Sequence, residues 1–315
     1  MNKESLKPLS DQIWSEEEPV LVSVFVATYN HAKFIEDALK GFLKQETNFR
    51  VEVLINEDCS TDNTAEILKR YEKEHPDLFK IIYQTVNQYS QGIKPFFHIL
   101  PKIAKGKYIA ICEGDDYWTD PLKLQKQVDF LENNPSYSIS WTKYKVFKNN
   151  KHRFPDWENH LNLTSDYIIN LDNVFIPYCT LTLTCVFRAS DFDVKLCKSL
   201  KHSKDNSLYA ICLSRNAGVL LNFYSSVYRV HDGGVYSNVD EFEKVYKSYL
   251  NIKEIINKVP NCNNENINKT KKFLLMMSLK NLRFFKNIKT SYLIITDSIK
   301  LFGLVKVVNG VLFSK

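Results

Sequence analysis

The chain has 315 residues, of which 44% are hydrophobic and 25% charged, with a formal net charge of +6. These totals fit one large globular domain or two smaller ones. Its seven cysteines are scattered without a Cys-x-x-Cys pair, so neither a zinc site nor a disulfide framework is indicated and a reducing compartment is favoured.

The first half of the chain predicts alternating buried strands and amphipathic helices. Residues 20–27 are a β-branched run typical of a strand covered on both faces. Asn30 is placed to cap a helix over roughly 31–44, and a second strand is predicted over 51–55. Strand, helix and strand in this order predict a right-handed βαβ unit and a parallel sheet.

The same alternation continues to about residue 133. The further predicted elements are a helix that stops before Pro76, a strand over 80–83, a short helix near 94–104, a buried strand over 108–112, and a helix over 121–133 with Asp120 as its N-cap.

The second half is less regular. Residues 1–19 are interpreted as a loosely held lead-in, and 148–170 as a loop. The predicted later strands lie over 136–147 and 181–187, and residues 219–230 are predicted to form either one long strand or a strand pair. The predicted later helices lie over 208–215, 239–257 and 266–313.

Three carboxylates follow the buried strand 108–112 at once: Glu113, Asp115 and Asp116. Like charges this close repel one another, and a bound cation would relieve the repulsion. Oxygen ligands favour Mg²⁺ or Mn²⁺, and Mg²⁺ commonly takes one or two carboxylates together with substrate phosphates. The stretch therefore predicts a metal and phosphate centre.

Polar clusters follow three separate predicted strands, at 28–30, 57–62 and 113–116. Each cluster alone has a structural alternative as a turn or a helix cap, such as a capping box formed by Asn63 and Glu66. Together they predict a ligand site, because the carboxyl ends of parallel strands share one edge of the sheet. No glycine-rich phosphate loop is present, so a metal would have to carry the charge of a diphosphate.

These motifs resemble those of the family-2 glycosyltransferases with the GT-A fold. The resemblance rests on residues 24–30, 57–64, 106–118 and 228–234, with Asp205 between the last two. It implies an α/β fold with a GT-A-like, Rossmann-type mixed sheet flanked by helices and a helical C-terminal extension. The implied organisation is a lead-in over 1–19, a glycosyltransferase domain over 20–235, and a basic helical region over 236–315.

The resemblance also implies an activity and a set of site residues. The activity is inverting transfer of a sugar from a nucleotide-diphosphate sugar, with Mn²⁺ or Mg²⁺ held by Asp115. His231, placed beyond the last strand, is a candidate contact for the metal or the diphosphate, and a surface or structural role is its alternative. The implied substrate-binding residues are Thr28, Tyr29, Asn30, Glu57, Asp58 and Glu113. Asp116, Trp118 and Arg229 are added to them by their positions near these motifs, with a place in the core as the alternative for Trp118. Glu57 and Glu113 depart from the family, which usually has Asp at both positions.

Asp205 is the implied catalytic base, because inversion needs one carboxylate to take the proton of the acceptor hydroxyl. Its structural alternative is an N-cap for the helix that follows. Arg229 is expected to steady phosphate charge, and Gly233 and Gly234 indicate a loop able to close over the diphosphate.

The expected partners are a nucleotide-sugar donor and a glycan or lipid-linked acceptor, with no nucleic acid. Residues 269–315 hold ten basic residues and one acidic residue, a net charge of +9. Because apolar residues interleave with the lysines, this stretch predicts either contact with a membrane surface or helices packed on the domain. The expected location is cytoplasmic, on the cytoplasmic face of the membrane in the first case.

Two other functions stay open from the sequence. A sugar nucleotidyltransferase also uses an α/β sheet and metal-bound carboxylates, but it normally carries a glycine-rich loop near its first strand. A non-catalytic, membrane-associated module that binds sugar nucleotides is the second alternative, against which the retained Asp58, Asp115 and Asp205 argue.

Overall fold

A computed structural model describes residues 6–175, 178–234, 239–281 and 288–303. Within those ranges the strands are β1 (Lys7–Pro8), β2 (Val20–Thr28), β3 (Glu46–Thr47), β4 (Arg50–Glu57), β5 (Phe79–Tyr83), β6 (Tyr108–Ile111), β7 (Tyr117–Trp118), β8 (Tyr137–Lys148), β9 (Lys151–Arg153), β10 (Tyr167–Ile169), β11 (Val186–Arg188) and β12 (Ala217–Arg229). The helices are α1 (Ile35–Leu43), α2 (Thr64–Glu74), α3 (Pro95–His98), α4 (Lys123–Asn133), α5 (Glu158–Leu161), α6 (Val194–Ser199), α7 (Asp205–Leu213), α8 (Glu241–Lys258), α9 (Glu265–Lys280) and α10 (Ile288–Phe302).

The described part of the chain forms one large mixed sheet with the strand order β10-β12-β8-β11-β6-β2-β4-β5. Strands β5, β4, β2 and β6 are parallel to one another, and β8 and β12 are parallel to each other. Strand β11 is antiparallel to both β6 and β8, so β8 and β12 point the same way as β6. The predicted mixed α/β sheet with a helical C-terminal region is confirmed.

The apolar runs form strands because helices cover both faces of the sheet. In β2, Val22, Val24 and Val26 point into one core cluster and Phe25 points into the other. Helix α1 buries Ile35 and its apolar neighbours against the first cluster. Alternate side chains of a buried strand enter opposite layers, which is why such strands read as continuous apolar sequence.

The helices α8, α9 and α10 follow the sheet and share a small core of their own, formed by Tyr249, Leu275, Leu279 and Ile294. Among the described residues, no helix combines the length and the hydrophobicity that crossing a bilayer requires. The predicted helical tail over 266–313 is seen as α9 and α10, and residues 282–287 and 304–313 lie outside the described residues.

Several local predictions are wrong, each for a physical reason. Asn30 is not an N-cap, because it adopts a left-handed conformation with φ of 56° and α1 begins only at Ile35. Asn63 occupies the N-cap position of α2 without a capping side-chain hydrogen bond. The strand expected over 181–187 is a 3-10 turn, Thr182–Thr184, followed by the short β11.

Two stretches predicted to lack structure contain it. The described part of the lead-in forms β1, which pairs with β3, and Gln12 Nε2 donates to the Thr47 carbonyl at 2.8 Å. The loop expected over 148–170 holds β9, α5 and β10. Strands β1 and β10 pair with β3 and β12, which are distant in sequence, and local patterns do not reveal such pairing.

Candidate functional site

The polar clusters predicted from the strand ends meet at one edge of the sheet. Strands β2, β4, β6 and β12 point the same way and end at Thr28, Glu57, Ile111 and Arg229. The side chains that follow, within residues 28–31, 57–62, 113–116 and 229–231, therefore lie around one region, as the general rule for ligand sites in parallel α/β sheets predicts. We call this region the cleft.

The acid loop, residues 113–116, lies directly against β2. The Gly114 amide donates to the Ala27 carbonyl at 3.0 Å. A Cβ atom at Gly114 would stand 2.9 Å from Thr28 and from Ile35 Cδ1. Glycine is therefore required here by the close approach of the loop to the strand.

Asp116 connects the acid loop to β12 and does not face the cleft as a free acid. Its buried carboxylate accepts the Arg229 amide at 2.7 Å. Burial raises the pKa of Asp116 well above its usual range, and repulsion from Asp115 and Glu113 adds to this. The residue predicted to bind substrate thus holds the loop in place.

Asp115 is the acid that two imidazoles face. Its Oδ2 atom lies 3.1 Å from His231 Nε2 and 3.7 Å from His31 Nε2. Burial lowers the pKa of His31, as does the nearby His231, against the attraction of Asp115. His31 Nδ1 is buried without a hydrogen-bond partner.

The pair Asp115 and His231 fits a divalent cation. Two ligands at about 2.1 Å and at right angles around an octahedral ion lie about 3.0 Å apart, close to the observed 3.1 Å. Within the described residues, no group of three or more His, Cys, Asp or Glu side chains is arranged to hold a metal. A cation shared with a diphosphate can be held by only one or two protein ligands, because phosphate oxygens supply further ligands.

Arg229 is enclosed rather than open to the cleft. Its guanidinium lies 4.8 Å from the Phe34 ring centroid and 4.9 Å from that of Tyr117. Nη1 donates to the Asp115 carbonyl at 2.7 Å, and Nη2 donates to Asp37 Oδ2 at 2.7 Å. Both terminal nitrogens thus have a protein partner, and the phosphate contact of Arg229 stays a prediction.

Glu113 is partly buried, and its carboxylate accepts the Thr182 hydroxyl at 3.0 and 3.2 Å. Burial raises the pKa of Glu113 to about 8, and repulsion from Asp205 and then Asp115 adds to the increase. Because the charge of Asp205 raises the pKa of Glu113, the Asp205 carboxylate at the start of α7 must lie near the acid loop.

Asp205 is the first residue of α7, and Lys204 takes the N-cap position. The structural alternative of an Asp205 N-cap is therefore not realised. Burial raises the pKa of Asp205, while the adjacent Lys204 and the more distant Lys94 oppose the shift. Lys94 Nζ donates to Ser203 Oγ at 2.9 Å, which fixes the chain just before α7.

Asp58 organises a loop beyond β5. Its two carboxylate oxygens accept the backbone amides of Gln88 and Tyr89 at 2.8 and 3.0 Å. The buried Glu57 accepts the Ser60 amide at 2.7 Å. Both acids thereby shape the walls of the cleft at the end of β4.

The three residues after the core of β2 have different environments. Thr28 is buried and its hydroxyl has no hydrogen-bond partner, whereas Tyr29 is exposed. Asn30 Oδ1 accepts the Thr61 amide at 2.8 Å, and the Asn30 amide donates to Ser60 Oγ at 2.9 Å. The left-handed backbone of Asn30 thus joins the ends of β2 and β4.

Trp118 does not face the cleft, so its prediction as a donor contact is wrong. Only 3% of it is exposed, and its ring packs edge-on against Phe42 at 4.9 Å. Its indole NH donates to the Leu183 carbonyl at 2.8 Å. A large aromatic ring in a strand between two layers is most stable when it packs in the core.

His31, Thr182 and Lys94 belong to the site but were not predicted. His31 directly follows the Asn30 cluster, and this position was the signal that could have indicated it. Thr182 lies 69 residues from Glu113 along the chain, and Lys94 lies 109 residues from Ser203. Neither contact can be predicted from a local sequence pattern.

Comparison with known proteins gives one family and several relatives. The family model described as glycosyl transferase family 2 matches residues 23–192, more than half of the chain. "Uncharacterized protein Mb1547" of Mycobacterium bovis is 42% identical over 125 residues, which are 40% of this chain but only 35% of the relative's own length.

A second relative covers more of both chains. The Escherichia coli "UDP-Glc:alpha-D-GlcNAc-diphosphoundecaprenol beta-1,3-glucosyltransferase WfaP" is 27% identical over 219 residues, 69% of this chain and 80% of that protein. Among solved structures, the mannosyltransferase PcManGT of Pyrobaculum calidifontis, in complex with GDP-Man and Mn²⁺, superposes with a TM-score of 0.59 at 16% identity. That likeness covers 96% of this chain and 81% of PcManGT and shows a shared fold.

Proposed function

The chain belongs to glycosyl transferase family 2, and on that premise we propose that it is a glycosyltransferase with the following reaction. The enzyme transfers a sugar, with inversion, from a UDP-sugar to a hydroxyl of a glycan or lipid-linked acceptor. A divalent cation is required. The observation that carries the proposal is the contact of Asp115 with His231 at the carboxyl edge of the sheet, beside Glu113, whose pKa is raised by the charges of Asp205 and Asp115.

The donor nucleotide occupies the part of the cleft bounded by the ends of β2 and β4. Asn30, Glu57 and Asp58 build this wall through their hydrogen bonds to residues 60–61 and 88–89. Support for a uridine nucleotide comes from WfaP, whose name specifies UDP-Glc as donor.

Asp115 and His231 would hold the cation, with Mn²⁺ or Mg²⁺ as the candidates. When bound, a divalent ion would neutralise the negative charge that develops on the departing nucleoside diphosphate. Support comes from the 3.1 Å separation of the two ligand atoms and from the Mn²⁺ present with PcManGT. Arg229 keeps this arrangement in place through the Asp115 carbonyl.

Asp205 acts as the general base. Its carboxylate takes the proton of the acceptor hydroxyl as that oxygen forms a bond to the anomeric carbon, and the bond from this carbon to the diphosphate breaks. A single displacement of this kind inverts the anomeric centre. Burial raises the pKa of Asp205, while Lys204 and Lys94 oppose that shift and so favour the charged form that a base requires.

The acceptor is a hydroxyl of a glycan, free or linked to a lipid. WfaP supports the lipid-linked case, since its name specifies a sugar diphosphoundecaprenol. We assign the catalytic domain to residues 20–235 and a basic helical region to 236–315, which would contact the cytoplasmic face of a membrane.

The variant Asp205→Asn tests the proposal most directly. We expect transfer from UDP-sugars to fall by about 10²–10⁴-fold, the usual contribution of a general base, while calorimetry shows unchanged UDP binding. The control Asp129→Asn alters an exposed acid of α4 and should keep full activity. Near-normal transfer by Asp205→Asn, or retention of the anomeric configuration by NMR, would contradict the proposal.

A further inference from the structure

A cavity of about 200 Å³ lies between the last three helices, away from the cleft. It is lined by Tyr249, Lys253 and Asn257 of α8, Lys271 and Leu275 of α9, and Asp297, Lys300 and Leu301 of α10. Three lysines and one aspartate give this lining a net charge of +2. The proposed reaction does not use any of these residues.

The single acid of the cavity, Asp297, already accepts hydrogen bonds from two neighbouring side chains. Asp297 Oδ2 accepts the Lys253 ammonium at 2.6 Å and the Tyr249 hydroxyl at 2.7 Å. Although burial would raise it, the pKa of Asp297 is lowered by these two hydrogen bonds. One lysine is thereby neutralised, and Lys271 and Lys300 supply the remaining positive charge.

Neither of those two lysines has a carboxylate within 4.0 Å in the part of the chain that the structure describes. Burial lowers the pKa of Lys271 and repulsion from Lys253 and Lys272 lowers it further, against the weaker attraction of Asp297. Cations that crowd one another in a cavity gain most from an anion with several acceptor oxygens, such as a phosphate group.

Helix α10 also exposes apolar side chains one turn before the cavity residue Asp297. Leu293, Asp297 and Lys300 follow an i, i+4, i+7 spacing along α10, so they share one face of the helix. Leu293 is 45% exposed and the adjacent Tyr292 is 68% exposed. Exposed leucine and tyrosine beside unpaired lysines are typical of helices that lie at the interface of a bilayer.

We propose that this cavity binds the phosphate of an anionic membrane lipid. Lys271 and Lys300 contact the phosphate, and Leu293 and Tyr292 enter the boundary between headgroups and acyl chains. Lipid binding would hold the cleft near a lipid-linked acceptor, and in this respect the inference rests on the proposed function. Its test does not depend on catalysis.

The experiment is co-sedimentation of the full chain with phosphatidylcholine vesicles that contain or lack phosphatidylglycerol. We expect binding only to the anionic vesicles. The variant Lys271→Gln/Lys300→Gln should weaken it about 30-fold, from about 1 kcal/mol for each lysine near a charged surface. The control Lys69→Gln/Lys73→Gln removes two exposed lysines of α2, an equal charge, and should have a much smaller effect.

The apolar part of the surface is tested in the same way. Leu293→Ser should weaken vesicle binding, whereas Ile168→Ser, at a residue of β10 that is 54% exposed, should not. Soluble inorganic phosphate distinguishes a free anion from a lipid. Wild-type protein that is stabilised by phosphate but does not bind vesicles would overturn the lipid assignment.

Two further results would also overturn the inference: absence of wild-type binding to anionic vesicles, or equal losses from the cavity variant and its lysine control. Failure of the proposed function has a different signature. The cavity variant should keep wild-type binding of UDP and wild-type transfer to a water-soluble acceptor, because its lysines lie outside the cleft.

Discussion

Asp115 and His231 are 116 residues apart in sequence, yet their Oδ2 and Nε2 atoms lie 3.1 Å apart. The acid loop follows β6 and the histidine follows β12, so the meeting depends on the parallel direction of those strands. A hydrogen bond of this length keeps both groups at the separation that a shared cation needs. In the proposed function, a cation would replace this hydrogen bond and be held by the same two atoms.

Removal of either partner should weaken binding of Mn²⁺ in the presence of UDP. For His231→Ala we expect a loss of about 10–100-fold, and for Asp115→Asn at least as much, because the anionic ligand goes. Electron paramagnetic resonance of free Mn²⁺ measures this without reference to activity. EDTA should abolish transfer by the wild-type enzyme, and added Mn²⁺ should restore it.

Substitution of His75, which is remote from the acid loop at the end of α2, provides a histidine control. His75→Ala should leave the affinity for Mn²⁺ unchanged. Equal Mn²⁺ affinity in wild type and His231→Ala would show that the histidine does not bind the ion.

We expect Arg229 to stabilise the structure around the acid loop rather than to contact phosphate. Arg229→Lys removes the planar guanidinium between Phe34 and Tyr117 and breaks at least one of its two hydrogen bonds. We expect the ligand-free protein to lose about 1–3 kcal/mol of unfolding free energy, measured by urea denaturation.

The neighbouring ion pair offers a matched comparison for Arg229. Asp37 has an exposed side chain, 53% accessible, so Asp37→Ala should cost at most about 1 kcal/mol. A phosphate-binding role makes the opposite prediction, in which Arg229→Lys weakens UDP binding but leaves the ligand-free protein as stable as wild type.

Asp58 should hold the loop that contains Gln88 and Tyr89. Asp58→Ala leaves two amides without their acceptors, so we expect these amides to exchange with deuterium at least about 10-fold faster. UDP should bind more weakly as a secondary effect. Hydrogen exchange followed by NMR measures both amides individually, and unchanged protection at residues 88 and 89 would refute this role.

The sequence allowed the sheet and the strand-end clusters to be predicted because both depend on local pattern. Runs such as 20–27 and 108–112 are apolar throughout, and polar residues follow each run directly. Parallel topology then brings the clusters together. The positions of Asp115 and Glu113 on one edge follow from these two facts alone.

The partners of those residues could not be predicted in the same way. Thr182 reaches Glu113 from a 3-10 turn that resembles a strand in sequence. Trp118 resembles a cleft residue because it is three positions past Asp115, but β7 pairs with β12 and carries its ring into the core. Contacts between distant segments depend on tertiary packing, which overrides local propensity.

Lys123 should give stability a distinctive dependence on pH. Its ammonium is fully buried under the Trp118 ring, 4.4 Å from the centroid, and donates to Gln127 Oε1 at 2.7 Å. Burial lowers the pKa of Lys123 from 10.5 to about 8. Between these two values the unfolded chain binds more protons than the folded one, so the contribution of Lys123 to stability rises with pH.

Below about pH 8 the ammonium is charged in both the folded and the unfolded chain, so its burial destabilises the fold by a constant amount. The unfolding free energy therefore rises only above about pH 8. From about pH 7.5 to about pH 9.5, the unfolding free energy of the wild type should gain about 1–2 kcal/mol relative to Lys123→Met. Urea denaturation at several pH values measures the difference, in which contributions common to both proteins cancel. Lys126→Met, at an exposed lysine of the same helix, should show no such slope, and a flat difference for Lys123→Met would mean that the buried amine does not titrate in this range.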